Sequence, residues 1–275
     1  MIETLRHHRL LAFAAALVAT MLALAALAGP VSPYDPLAQD VIARLRDPGT
    51  GHWLGTDQFG RDVLARILHG ARASLAISLA AVSAALLAGG ALGLLSAWRG
   101  GWFDRIAMRL MDVIFAFPVM LLAIGVIAVL GPRAESAAIA IAVVYTPIFA
   151  RLLRGPALVV VASEYVTAAR AVGASDTRIL LRHVLPNLAS VILVQASLSL
   201  SAAILVEASL SFLGFGTQPP YPSLGLMLAE GRNFLLLSPW SAVFAGAAIL
   251  LLSFGFNLLG DALRDTLDPR LRGGP

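Results

Sequence analysis

The chain has 275 residues, 59% of them hydrophobic, and a mean hydropathy of +0.83, whereas a soluble domain is about half apolar. Its formal charge of +4 comes from arginine alone, since there is no lysine, and it has no cysteine, which excludes disulfides and thiolate metal sites. A basic balance also suits nucleic acid, but these arginines gather at the ends of apolar stretches, where their stems lie along a bilayer and their heads reach water. Nucleic-acid binding is set aside on that ground.

Six apolar stretches qualify as membrane-spanning helices, which satisfy every backbone amide internally. The first runs from Leu10 to Ala28 behind a basic start, Arg6, His7, His8 and Arg9. Its close at Ala26-Leu27-Ala28 also fits a cleavable signal peptide, but about nineteen apolar residues exceed the usual core of about 7 to 15. Residues 1–28 are therefore expected to form a retained anchor. From Gly29 to about Gly70 the composition shifts to Pro, Asp, Gly and Arg, with turns at Pro30, Pro33, Pro36 and Pro48. We expect 29–72 to be an external loop whose last part, Phe59 to Arg72, is a short surface helix carrying Val63, Ile67 and Leu68 among Arg61, Asp62, Arg66 and Arg72.

A five-helix core is expected over residues 73–263, followed by a cytoplasmic tail at 264–275. Its spans are Ala73 to Ala97, Val113 to Leu130, Ala137 to about Leu153, Leu188 to about Leu213, and Pro239 to Gly260. Gly89, Gly90 and Gly93 read as close helix contacts, and Pro118 as a kink. The Ala137 span is short and contains Pro147, so it must borrow turns whose arginines, Arg151 and Arg154, snorkel to the interface. With the N-terminus inside, thirteen arginines face the cytoplasm and seven face out, five of them in the long first loop, where Asp35, Asp40, Asp47, Asp57 and Asp62 balance them. The positive-inside rule then puts both termini in the cytoplasm.

The largest cytoplasmic loop, Glu164 to Asn187, reads as a helix, a glycine break and a second helix. Ala168, Ala169 and Ala171 favour helix, Gly173 caps it, Ser175 or Asp176 opens the next, and Pro186 marks the return to the membrane. A short capped helix with small residues can dock in a groove on another protein. Physics alone gives equal standing to a plain basic loop of the cytoplasmic face.

This loop resembles the cytoplasmic signature of ABC importer permeases, Glu-Ala-Ala followed after three residues by Gly and nine further on by Ile-x-Leu-Pro. Ala168, Ala169, Gly173, Leu185 and Pro186 fall at the matching positions, with Thr167 in place of Glu and His183 in place of Ile. Those departures look like the dipeptide, oligopeptide and nickel branch. So do Pro33-Tyr-Asp-Pro36, His52-Trp-Leu-Gly-Thr-Asp-Gln-Phe-Gly-Arg-Asp62, Ala208-Ser-Leu-Ser-Phe-Leu-Gly-Phe-Gly216 and Gly260-Asp-Ala-Leu-Arg-Asp-Thr-Leu-Asp-Pro269.

The resemblance implies an all-α polytopic protein of the bacterial inner membrane with no cofactor of its own. Its implied partners are a second homologous permease chain, two cytoplasmic ATPase subunits and an external solute-binding protein. Ala168, Ala169, Gly173, Ala174, Leu185 and Pro186 are the implied ATPase-coupling residues. No G-x-x-x-x-G-K-[ST] loop is present, so the energy must come from those partners. Small peptides are the expected solute, with nickel or another small solute as the alternative.

Within the spans, Glu207 is the one deep carboxylate, and such a group needs a partner or a wet surrounding. It could line a solute path with Gln195, Ser197, Ser199 and Ser201, or anchor helices to one another; the structural role is the favoured expectation. The histidines are scattered, so no metal site is expected. An intramembrane hydrolase lacks a nucleophile and base here. A channel or secondary transporter fits the hydropathy but leaves the docking motif without a purpose.

Overall fold

The computed structural model describes residues 2–267, with side chains from Arg9 onward. Arg270, Arg272, the Asp268-Pro269 end of the last string and most of the expected tail lie outside the described residues. Those described are helical or loop, with no strand. The helices are α1 (Ile2–Ala26), α2 (Ala28–Val31), α3 (Val63–Arg99), α4 (Gly101–Phe115), α5 (Val119–Leu130), α6 (Ala134–Val161), α7 (Glu164–Ala171), α8 (Asp176–Ile179), α9 (Ala189–Phe212), α10 (Leu224–Arg232) and α11 (Trp240–Leu267).

Five helical runs are long and apolar enough to cross a membrane: α1, α3, α6, residues 176–212 including α9, and α11. A sixth crossing exists only as the pair α4 and α5, bent by 94°. The span expected over Val113 to Leu130 is therefore not one helix. Pro118 has no N–H to give and pushes Phe117 out of the helical region, so the chain breaks between Phe115 and Val119. Alone, α5 has 12 residues, about 18 Å of helix against a hydrocarbon core of about 30 Å.

The surface helix expected before the second span is absent as a separate element. Instead α3 starts at Val63 and runs unbroken for 37 residues. Asp62 fixes this start, its Oδ1 accepting the Ala65 N–H at 2.8 Å. Arg61 and Arg66 do not face water; both are buried, paired with Asp57 and Glu230. The fourth span is also longer than expected, 28 residues with Pro147 and Pro156 inside. Its arginines are paired rather than snorkelling. Arg154 holds Asp104 of α4 in a two-pronged contact at 2.5 and 2.6 Å, and Arg151 pairs with Asp112.

Close backbone approach joins α3 to α6. A Cβ on Gly89 would stand 2.2 Å from the Thr146 carbonyl oxygen, and one on Gly93 would stand 2.3 Å from that of Ala150, so only glycine lets these helices pack so near. At the far end of α3 the loop of residues 33–62 folds into a cap. Tyr34 donates its hydroxyl to Gly51 O at 2.6 Å, and His52 Nδ1 lies 2.8 Å from Asp62 Oδ2. Trp240 Nε1 donates to Asp47 Oδ1 at 2.7 Å, tying this cap to α11.

Candidate coupling site and the polar span residues

At the opposite end of α3 from that cap, α7 and α8 form an elbow around Gly173. Val166 and Ile179 anchor its two limbs, both fully buried against Ala97, Leu153 and Ala157. Helix α7 ends in a Schellman motif: Gly173 N–H donates to Arg170 O at 3.0 Å, and Ala174 N–H donates to Ala169 O at 3.1 Å. The motif requires a residue with positive φ, and Gly173 sits at +83°. Ser175 opens the second limb, its hydroxyl accepting the Arg178 N–H at 3.4 Å.

Beyond Ile179 the helix widens to a π turn over Leu180–Val184, then tightens to a 3₁₀ turn over Leu185–Leu188 before α9. Pro186 is the cause, because it offers no N–H to Arg182 O and its ring would clash with that carbonyl. Pro186 therefore deforms the helix without ending it, just before the chain continues into α9. Asn187 braces this stretch by donating to His183 O at 2.6 Å and to Tyr165 of α7 at 3.3 Å.

The six coupling residues expected from sequence all lie on this elbow or its π/3₁₀ continuation. Ala168, Gly173 and Pro186 are exposed, while Ala169, Ala174 and Leu185 are half-buried. Val172 adds an apolar tip that is 84% exposed. The face formed by Ala168, Val172 and Gly173 is small, apolar and uncovered in the isolated chain. The indole of Trp98 touches both limbs; no local sequence pattern around Trp98 marks these contacts.

The expected path residues do not share one cavity. Gln195 lines a crevice of about 480 Å³ with Ser190, Val194, Leu198 and Arg264, and its amide donates to Ser199 at 3.1 Å. Ser197 is buried and returns its hydroxyl to Leu193 O. Ser201 donates to Ser253 O of α11 at 2.8 Å, inside a helix contact. Glu207 is fully buried and accepts from Ser211 at 2.7 Å. Beside it, α10 presses so closely that a Cβ on Gly225 would stand 2.1 Å from Ala208 O. A larger cavity of about 710 Å³ lies at the cap end, between Asp35, His69, Ala76, Arg133 and Tyr221.

Apolar helices of spanning length, with an elbow exposed at one end and a folded cap at the other, define a multi-pass membrane protein. The chain belongs to the family described as the binding-protein-dependent transport system inner membrane component, whose model matches residues 89–273. It is the permease component of an ABC importer.

It is 44% identical over 229 residues to a dipeptide transport system permease protein of Alkalihalophilus pseudofirmus, covering 83% of this chain and 75% of that one. It is 45% identical over 270 residues to a glutathione transport system permease protein of Pectobacterium atrosepticum, covering 98% and 89%. A solved inward-facing conformation of the MetNI methionine ABC transporter shares the fold at a TM-score of 0.58 and 16% identity, over 74% of this chain and 97% of that one.

Proposed function

We propose that this chain forms half of a pathway for small peptides across the bacterial inner membrane, paired with a second homologous permease and fed by an external solute-binding protein. Both termini lie in the cytoplasm, and α4 with α5 serves as one broken crossing, giving six spans. One of two cytoplasmic ATPases seats on the elbow at Ala168, Ala169, Gly173 and Ala174, while Leu185 and Pro186 pass its movement into α9. The observation that carries this reading is the elbow itself: its inner residues are fixed to α3 and α6, and its small-residue outer face is left bare. Peptide as the solute rests on the names of the relatives at 44% and 45% identity.

The span residues support a modest version of the pathway. Gln195 lines a cavity and is assigned to the cytoplasmic mouth, while Ser201 ties α9 to α11 and Glu207, bonded to Ser211 of its own helix, is assigned a structural role.

Pull-down of the tagged chain from cells expressing the complete transporter tests the assembly. The expected result is recovery of a second permease and two ATPases, with ATP hydrolysis in the eluate. Gly173→Val puts a branched side chain at φ +83°, a strain of roughly 1–2 kcal/mol, with open space around it. It is expected to lose the ATPases while keeping the second permease. Gly155→Ala, in open space within α6, serves as the control. Recovery of the chain alone, inert toward ATP, would sink the reading.

A further inference from the structure

Trp98 lies one residue before the end of α3 and half-buried beside the elbow. The Arg170 guanidinium of the first limb lies over its ring at 4.1 Å, within the range of a cation–π contact. Its indole Nε1–H donates to Asp176 Oδ2 of the second limb at 3.0 Å. One side chain of α3 thus grips the elbow on both sides of the Gly173 turn. The same ring packs against the cluster of Val166, Ile179, Leu153 and Ala157 that roots the elbow. The two polar contacts differ in kind, one to a face and one to an edge, so the indole cannot follow one limb and release the other without losing a contact.

Helix α3 is suited to carry what Trp98 receives. Its 37 residues make an unbroken rod, and the part from Trp98 to the wall of the 710 Å³ cavity at Ala76 and Ala73 is about 33–38 Å long. Its seam with α6 is backbone on backbone at Gly89 and Gly93, so the two helices move together rather than slide through side-chain adjustment.

We propose that Trp98 is the positioning residue through which displacement of the α7–Gly173–α8 elbow is carried into α3, so that ATPase closure is felt at the far cavity. This rests on the proposed seating of an ATPase on the elbow. It assigns to α3 a share of the transmission that the chain order of the elbow, which leads directly into α9, does not suggest.

The chain has no cysteine, so an Ala76→Cys variant carries a single label site, at an exposed position of α3 in that cavity. The assembled transporter in proteoliposomes is treated with a polyethylene glycol maleimide, with and without ATP and vanadate, and labelling is read as a mass shift on this chain. With Trp98 present, the labelling rate is expected to differ between the two states. Trp98→Ala is expected to abolish that difference while the ATPases still co-purify and hydrolyse ATP. Trp98→Phe keeps a ring beneath Arg170 but has no donor for Asp176, and is expected to retain a smaller difference.

A full difference in Trp98→Ala overturns the proposal, as does the absence of any difference with Trp98 present. A Trp98→Phe protein indistinguishable from the parent overturns the two-limbed grip and keeps the experiment decisive if the alanine variant does not fold. Failure of the ATPases to co-purify with the unmodified chain would count against the seating on the elbow instead, a result read on the gel before any labelling.

Discussion

Glu207 is a carboxyl group with no access to solvent, and it accepts a hydrogen bond from the Ser211 hydroxyl at 2.7 Å. A buried carboxyl is tolerable in a membrane helix when its hydrogen bonds are kept, and removing such a group strands its partner at a cost of about 1–3 kcal/mol. Glu207→Gln retains a carbonyl oxygen for Ser211 and is expected to leave the thermal unfolding midpoint in detergent near that of the parent. Glu207→Ala is expected to lower it, since Ser211 loses its acceptor and a void opens where the buried side chain stood. If Gln and Ala variants both unfold like the parent but abolish uptake at equal abundance, Glu207 belongs to the solute path and its anchoring role is wrong. The spacing of Gln195, Ser197 and Ser201 could be read from sequence, but their surroundings could not. A serine on a membrane helix looks the same whether it faces a pore, its own backbone as Ser197 does, or a neighbouring helix as Ser201 does.

Among the elements, α3 and α6 show how a packing seam written in small residues can be graded by the space around each one. Gly93 has the Ala150 carbonyl within 2.3 Å of where a Cβ would stand, Gly90 has only the end of the Leu153 side chain at 3.0 Å, and Gly125 of α5 has nothing within 4 Å. Alanine at Gly93 must push two backbones apart, an overpacking cost of about 1–3 kcal/mol. Alanine at Gly125 gains helix propensity of about 1 kcal/mol with nothing to strike. Thermal unfolding of the two variants in the same detergent is expected to fall for Gly93→Ala and to hold or rise for Gly125→Ala; the reverse order would refute the seam. The glycine contacts and the Pro118 break were legible because each is a local backbone property. The 94° size of that break was not, because it depends on α4 being held across α6 by Asp104 with Arg154 and Asp112 with Arg151, pairs 50 and 39 residues apart in sequence.

For the molecule as a whole, the cap at the start of α3 is joined to the helices through charge. Asp57 Oδ2 meets Arg61 at 2.6 Å and Arg66 at 3.3 Å, and Glu230 of α10 meets the same two arginines at 3.0 and 3.4 Å. Asp57, Arg61 and Arg66 are each at least 97% buried at the side chain and Glu230 about four-fifths so. From sequence these residues looked like an external loop and a surface helix, because charge is ordinarily a mark of exposure and the balancing Glu230 stands 169 residues from Arg61. Two acids facing two bases leave no net charge, which is what permits burial; removing one partner leaves a cation uncompensated, at a cost of about 3–5 kcal/mol. Asp57→Asn is therefore expected to loosen the loop of residues 33–62, seen as faster cleavage there by an added protease and a lower unfolding midpoint. Raising salt to about 1 M shortens the screening length to about 3 Å but does not reach buried pairs as it does exposed ones. High salt should therefore leave the parent's cleavage rate nearly unchanged. If salt alone reproduced the Asp57→Asn pattern, the four charges would be acting from the surface, and the cap would be held instead by Tyr34, His52 and the Trp240–Asp47 tie.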